Sequence, residues 1–141
     1  MKIQSRAVSS TSGTFELKIE DTDKVDIEGQ AFDVINNVSM ANVKVLNLAA
    51  AAFKPNKPLF MVEQPITRIF LEHIASIPTL SMEVFSSAHS ILFQDCHIDE
   101  IESSAFSGVF VNNITFDSSS IDRIHTSAFP DRALLQVSDY K

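Results

Sequence analysis

The sequence has no tryptophan, one tyrosine, one cysteine, three glycines and five prolines among its 141 residues. A single cysteine excludes an intrachain disulfide and argues against a small secreted disulfide scaffold. Scarce Gly and Pro exclude collagen-like and low-complexity chains. No apolar run reaches the roughly 18 residues of a membrane helix, so no membrane insertion is expected. Met1 to Arg6 holds no apolar signal core, so an exported parent would have lost its signal or carry it outside this chain. Positive charge is also short. Eleven Lys and Arg face eighteen Asp and Glu, a formal net charge of -7. That balance argues against nucleic acid, which needs a basic footprint, and against an anionic membrane surface. It favours solubility and leaves a basic protein as the charged partner that would fit.

What is abundant is phenylalanine, eleven residues in a chain that is 45% hydrophobic. Eleven Phe against one Tyr and no Trp is a bias toward core filling. The length is that of one domain, residues 1–141. Four phenylalanines close the same pattern: Ala31-Phe32, Ala52-Phe53, Ala105-Phe106 and Ala128-Phe129. Thirteen residues before each Phe stand Ile19, Met40, Phe93 and Phe116, and two before those Leu17, Val38, Ile91 and Ile114. Eight after Ile19, Met40, Phe93 and Phe116 stand Ile27, Leu48, Ile101 and Ile124. Five after them stand Lys24, Val45, Ile98 and Ile121, the first a miss beside Val25. A fixed pattern at a period of about 21 to 23 residues predicts a solenoid. Solenoids offer a long surface rather than a deep cleft.

Residues 1–14 read as a lead-in or cap and 15–137 as repeats. Coil one runs from about Thr14 to Asn36 and coil two from about Asn37 to Lys57. Residues 54–89 are irregular. Phe53 to Phe106 is too long for two coils, and Ile66, Ile69, Leu71, Ile74, Ile77, Met82 and Phe85 fit one or two coils with an insertion. The two best copies follow, Ser90 to Phe106 and Asn113 to Phe129. Leu134, Leu135 and Val137 then open another strand. An apolar edge there predicts a homodimer through the C-terminal coil, or a longer array.

From Ile91 to Phe106 and from Ile114 to Phe129 the chain resembles leucine-rich repeats, of the extracellular or surface type with degenerate motifs. The resemblance implies a β-solenoid or α-β solenoid with a parallel sheet of about five to six short coils. A right-handed parallel β-helix has a similar period and is the alternative. The resemblance further implies strand pairs Leu17/Ile19, Val38/Met40, Ile91/Phe93 and Ile114/Phe116, with convex Phe32, Phe53, Phe106 and Phe129. The family's buried Asn slot falls on Thr22, Val43, Cys96 and Ser119, so its amide ladder is missing. Thr, Cys and Ser replace it only in part.

Cys96-His97, beside Asp95, Asp99 and Glu100, is the one sequence cluster that suggests a metal or a nucleophile. In the repeat register Cys96 points inward and His97 outward, so they do not share an ion. His73, His89 and His125 have no ligand spacing between them. No nucleophile elbow, phosphate loop or zinc-protease motif occurs. The expectation is no enzyme, no metal and no cofactor. A carbohydrate-acting β-helix enzyme would gather carboxylates, whereas Glu16, Glu20 and Asp117 lie on distant coils.

Strand residues facing away from the core give the expected binding face. Coil one contributes Glu16, Lys18 and Glu20. Coil two contributes Asn37, Ser39 and Ala41. The last two full copies contribute Ser90, Leu92 and Gln94, then Asn113, Thr115 and Asp117. This set is small, polar and mildly acidic, without aromatic or Arg anchors. Two glycosylation sequons, at Asn37 and Asn113, begin equivalent strands. The reading is a non-catalytic protein-recognition domain, extracellular or at the cell surface, with a cytoplasmic location as the alternative. A structural module that stacks end to end is the second reading.

Overall fold

The computed structural model describes residues 1–4, 16–31, 37–53, 66–85, 88–106, 111–129 and 134–138. These form β1 (Lys2–Ile3), β2 (Glu16–Ile27), β3 (Asn37–Leu48), β4 (Ile66–Leu80), β5 (Ala88–Gln94), β6 (His97–Ile101), β7 (Asn113–Asp117), β8 (Ser120–Ile124) and β9 (Leu134–Ser138). Every pairing is parallel. The chain is a parallel β-solenoid, and no helix occurs among the described residues. One strand stack runs β2-β3-β4-β5-β7-β9. The second is built from β1, the later halves of β2, β3 and β4, then β6 and β8. Lys2 and Ile3, in the segment expected as a lead-in or cap, add to it beside Asp26 and Ile27.

The bend between the two stacks has a local cause. Inward positions two apart, such as Val38 and Met40, alternate as a strand should. The next inward residue, Val43, comes three later, which a straight strand cannot supply. A left-handed residue absorbs the difference in each coil: Asp21, Asn42, His73, Asp95 and Ser118 have φ between 51° and 56°. Asp, Asn and His tolerate that region better than most residues. A second left-handed residue stands two before Phe32, Phe53, Phe85 and Phe106, at Gln30, Ala51, Glu83 and Ser104. Backbone bonds carry these turns from coil to coil: Gln30 N donates to Ala51 O, Ala51 N to Met82 O, Glu83 N to Ser104 O and Ser104 N to Ser127 O. At the first turn a Cβ on Gly29 would stand 2.7 Å from the Ala50 carbonyl oxygen, so glycine is required there.

One coil occupies the irregular middle. Ile69 and Leu71 pair with Val38 and Met40 on one side and with Ile91 and Phe93 on the other. Val84-Phe85 stands where the other coils have Ala-Phe, and Val84 and Phe85 are buried. The remaining extra length falls at residues 54–65, outside the described residues. The second stack also changes its spacing here. Buried Val25 and Ile27, then Leu46 and Leu48, lie two apart, whereas Ile77 and Leu80, then Ile98 and Ile101, lie three apart. The register shift between Val45 and Leu48 marks the change. It corrects one expected position: Leu46, not Val45, fills the inward slot of coil two, as Val25 does in coil one.

The core is a column of stacked rings. Phe53 and Phe85 have centroids 5.9 Å apart, Phe85 and Phe106 5.5 Å, and Phe106 and Phe129 5.1 Å. A second, shorter column stacks Phe93 on Phe116 at 4.9 Å and meets the first edge-on. Offset and edge-to-face contacts of this kind add to plain burial. Phe53, Phe85 and Phe106 are fully buried, while Phe129 is half-buried. Phe32, expected in the same column, lies outside the described residues. Among the expected strand pairs, Ile19, Val38, Met40, Ile91, Phe93, Ile114 and Phe116 are buried and Leu17 is partly buried.

Candidate functional site

The register aligns the outward residues of the first stack into three rows. The first is Glu16, Asn37, Arg68, Ser90 and Asn113. The second is Lys18, Ser39, Phe70, Leu92 and Thr115. The third is Glu20, Ala41, Glu72, Gln94 and Asp117. Every residue expected on the binding face therefore lies on one continuous sheet face. At about 4.8 Å per strand, its outermost strands among these, β2 and β7, stand roughly 19 Å apart.

The middle coil changes the character of this face. Arg68, Phe70 and Glu72 come from the stretch whose register the sequence left open. The Arg68 guanidinium carbon lies 4.9 Å from the Phe70 ring centroid, a cation–π contact. Leu92 follows Phe70 in the same row. The face thus has an Arg and an aromatic at its centre, the residue types that anchor protein interfaces. A shallow groove runs beside them between Glu16, Asn37, Ser39, Arg68 and Phe70. The signal for these residues was present as Arg68-Ile69-Phe70-Leu71-Glu72, an alternating strand, and only its register was hidden.

Charge on the face is partly compensated. Lys18 Nζ lies 3.1 Å from Glu20 Oε1. Asn37 Nδ2 donates to Glu16 Oε1 across 3.4 Å. Glu72, Glu20 and Asp117 share a row but are separated by Ala41 and Gln94, so these three do not converge as an acid–base pair would.

Cys96 occupies the buried corner slot with Val43, Ile74 and Ser119. Burial pushes its thiol up to about 11. Its Sγ lies 3.2 Å from Leu71 O and 3.4 Å from Gln94 O. Ser119 Oγ accepts from Cys96 N at 3.0 Å and stands 3.2 Å from Phe93 O and 3.1 Å from Asp117 O. The two small polar side chains thereby bind backbone groups that a ladder bond would otherwise take. Thr22, in the same slot, reaches only Glu20 O, at 3.0 Å.

Outside the corner, His97 faces away from Cys96. Its Nε2 lies 3.0 Å from Asp99 Oδ1 and 3.3 Å from Asp122 Oδ2. Its Nδ1 lies 2.6 Å from Ser120 Oγ. Among the described residues, His97, Asp99 and Asp122 are the group whose ligand atoms could hold a metal ion. Two neighbouring pairings are simpler: His73 Nδ1 with Asp95 Oδ2 at 2.7 Å, and Glu100 with Arg123 and His125 at 3.1 Å each. Of the sequence cluster Asp95, Cys96, His97, Asp99 and Glu100, the fold keeps Asp99 beside His97 and adds Ser120 and Asp122 from the following coil.

Comparisons of the chain with protein-family models, with curated proteins and with solved structures each find no match.

Proposed function

We propose that this solenoid is a non-catalytic recognition module that binds another protein across the outer face of its first strand stack. The observation that carries the reading is the Arg68–Phe70 contact, flanked by Leu92, at the centre of an otherwise small and polar face. An apolar side chain of the partner packs on Phe70 and Leu92. Basic side chains of the partner face Glu20, Glu72 and Asp117, in keeping with the net charge of -7. An extracellular or cell-surface setting belongs to the same proposal. Its support is the pair of sequons at Asn37 and Asn113, both on the outward first row. The kinship with leucine-rich repeats belongs here too. The shared spacing supports it, while the second strand in each coil supports the β-helix form.

A photo-crosslinker placed at Leu92 tests the reading against one placed at Lys44, which projects from the second stack. The expected result is one defined adduct from position 92, competed by unlabelled wild-type chain but not by the Arg68→Ala, Phe70→Ala variant. Equal adducts from both positions, or equal competition by the variant, would contradict it.

End-to-end self-assembly is the second reading. A specific observation favours it: Ile124 of β8 is 49% exposed, and β8 pairs only with β6 among the described strands. A second copy seated there would cover the exposed Ile124. Light scattering of wild type and of Ile124→Glu decides it. A dimer lost in the variant supports the reading, and a wild-type monomer at high concentration sinks it.

A further inference from the structure

We infer that His97, Asp99 and Asp122 form a binding site for a divalent transition-metal ion of the zinc class. The strands create the site. Residues 97 and 99 project from the same side of β6, being two apart. Asp122 comes from β8, where it holds the place opposite Asp99 between the paired Ile98–Ile121 and Glu100–Arg123. Two carboxylates side by side on adjacent strands repel unless a cation lies between them. The His97 Nε2 atom is aimed at that gap, 3.0 Å from one carboxylate oxygen and 3.3 Å from the other.

These distances suit a metal. With bonds of about 2.0–2.2 Å, two donors on a tetrahedral ion stand about 3.3–3.6 Å apart. All three ligand atoms lie within 4.8 Å of one another. Small side-chain rotations, available to half-exposed groups, close the set around one ion. Ser120 completes the arrangement. Its hydroxyl oxygen, 2.6 Å from Nδ1, can accept a hydrogen bond from Nδ1–H, the tautomer that leaves the Nε2 lone pair for the ion. Metal-bound histidines generally have such a partner on the other ring nitrogen. One imidazole nitrogen with two carboxylates selects zinc-class ions. Calcium requires six to eight oxygens and magnesium keeps most of its water. With three protein donors a fourth position stays open to water or to a donor from another molecule.

Equilibrium dialysis of the purified chain against Zn²⁺ alone tests the site. The expected result is one ion per chain. Affinity should fall at least about tenfold in His97→Ala and in Asp122→Asn, and by about tenfold in Ser120→Ala, which touches no ion. His73→Ala, which disrupts a different histidine–carboxylate pairing, should bind as wild type does, and Ca²⁺ at equal concentration should not compete. Circular dichroism of each variant confirms the fold, since all four side chains are partly or well exposed. Zn²⁺ binding that survives both His97→Ala and Asp122→Asn would overturn the assignment, as would no binding by wild type up to about millimolar Zn²⁺.

Discussion

The two halves of the solenoid solve the same geometric problem with different chemistry. In the first two coils β2 and β3 run unbroken for twelve residues each, through the corner and into the second stack. Their corner slots hold Thr22 and Val43, and their buried side chains are mainly aliphatic. In the last two coils the strand breaks at the corner, between Gln94 and His97 and again between Asp117 and Ser120. There the slots hold Cys96 and Ser119, which occupy backbone groups that a through-running ladder would use. The later half also holds most of the stacked rings and the histidine–carboxylate groups. Aliphatic packing with continuous ladders is one way to turn a coil. Side-chain bonding with aromatic stacking is another. A single solenoid moves from one to the other at the third coil, where the inward spacing of the second stack shifts from two to three.

The largest effect should come from the ring columns. Phe106 touches Phe85, Phe93, Phe116 and Phe129. Replacing it with Ala should cost about 3–5 kcal/mol in chemical denaturation. Phe129→Ala, at a half-buried end of the column, should cost distinctly less. Equal losses would mean that the column is not the core of the later half.

The corner slots offer a sharper contrast. Ser119→Ala strands Cys96 N in a buried site and should cost about 1–3 kcal/mol. Thr22→Ala removes one half-exposed hydroxyl bond to its own strand and should cost under about 1 kcal/mol. A reversed order would show that the slot chemistry does not distinguish the halves.

Cys96 should resist thiol reagents in the folded chain, because reactivity requires an accessible thiolate. Its ionisation also links stability to pH. The ordinary thiol value is 9.0, and burial moves Cys96 to about 11. The unfolded chain therefore loses this proton first. The contribution of the neutral thiol is complete below about pH 9 and is lost as pH rises through about 11. Cys96→Ala should remove that part of the alkaline slope, and an unchanged slope would contradict the burial argument.

The smallest effect should come from the surface pairs. Glu100→Gln breaks the contacts with Arg123, which is 73% exposed, and with His125. The change should be under about 1 kcal/mol and should shrink further with salt. A larger loss would mean that these pairs hold β6 to β8.

Much of this was legible in the sequence. The period, the parallel solenoid, the inward strand pairs and the buried Cys96 follow from spacing alone, because a repeated coil must repeat its core. Three things were hidden for physical reasons. The third coil has Val84-Phe85 instead of Ala-Phe, and Val fits the buried position as well as Ala does. The later half of β4 defeats a fixed-offset reading, because the buried residues there are Ile77 and Leu80, six and nine after Leu71, and not those five and eight after it. Arg68 and Phe70 were therefore not placed on the face, and the face looked without anchors. The His97 group was hidden in another way. Asp122 is twenty-five residues from His97 in the chain, and only the coil-to-coil register brings the two together.

The third coil stacks in register between the second and fourth, and this places Arg68 and Phe70 at the centre of the face. Ring-to-ring nuclear Overhauser contacts in a phenylalanine-labelled sample test it most directly. The expected contacts run from Phe85 to both Phe53 and Phe106, with none between Phe53 and Phe106. A direct Phe53–Phe106 contact, with Phe85 outside the column, would contradict it.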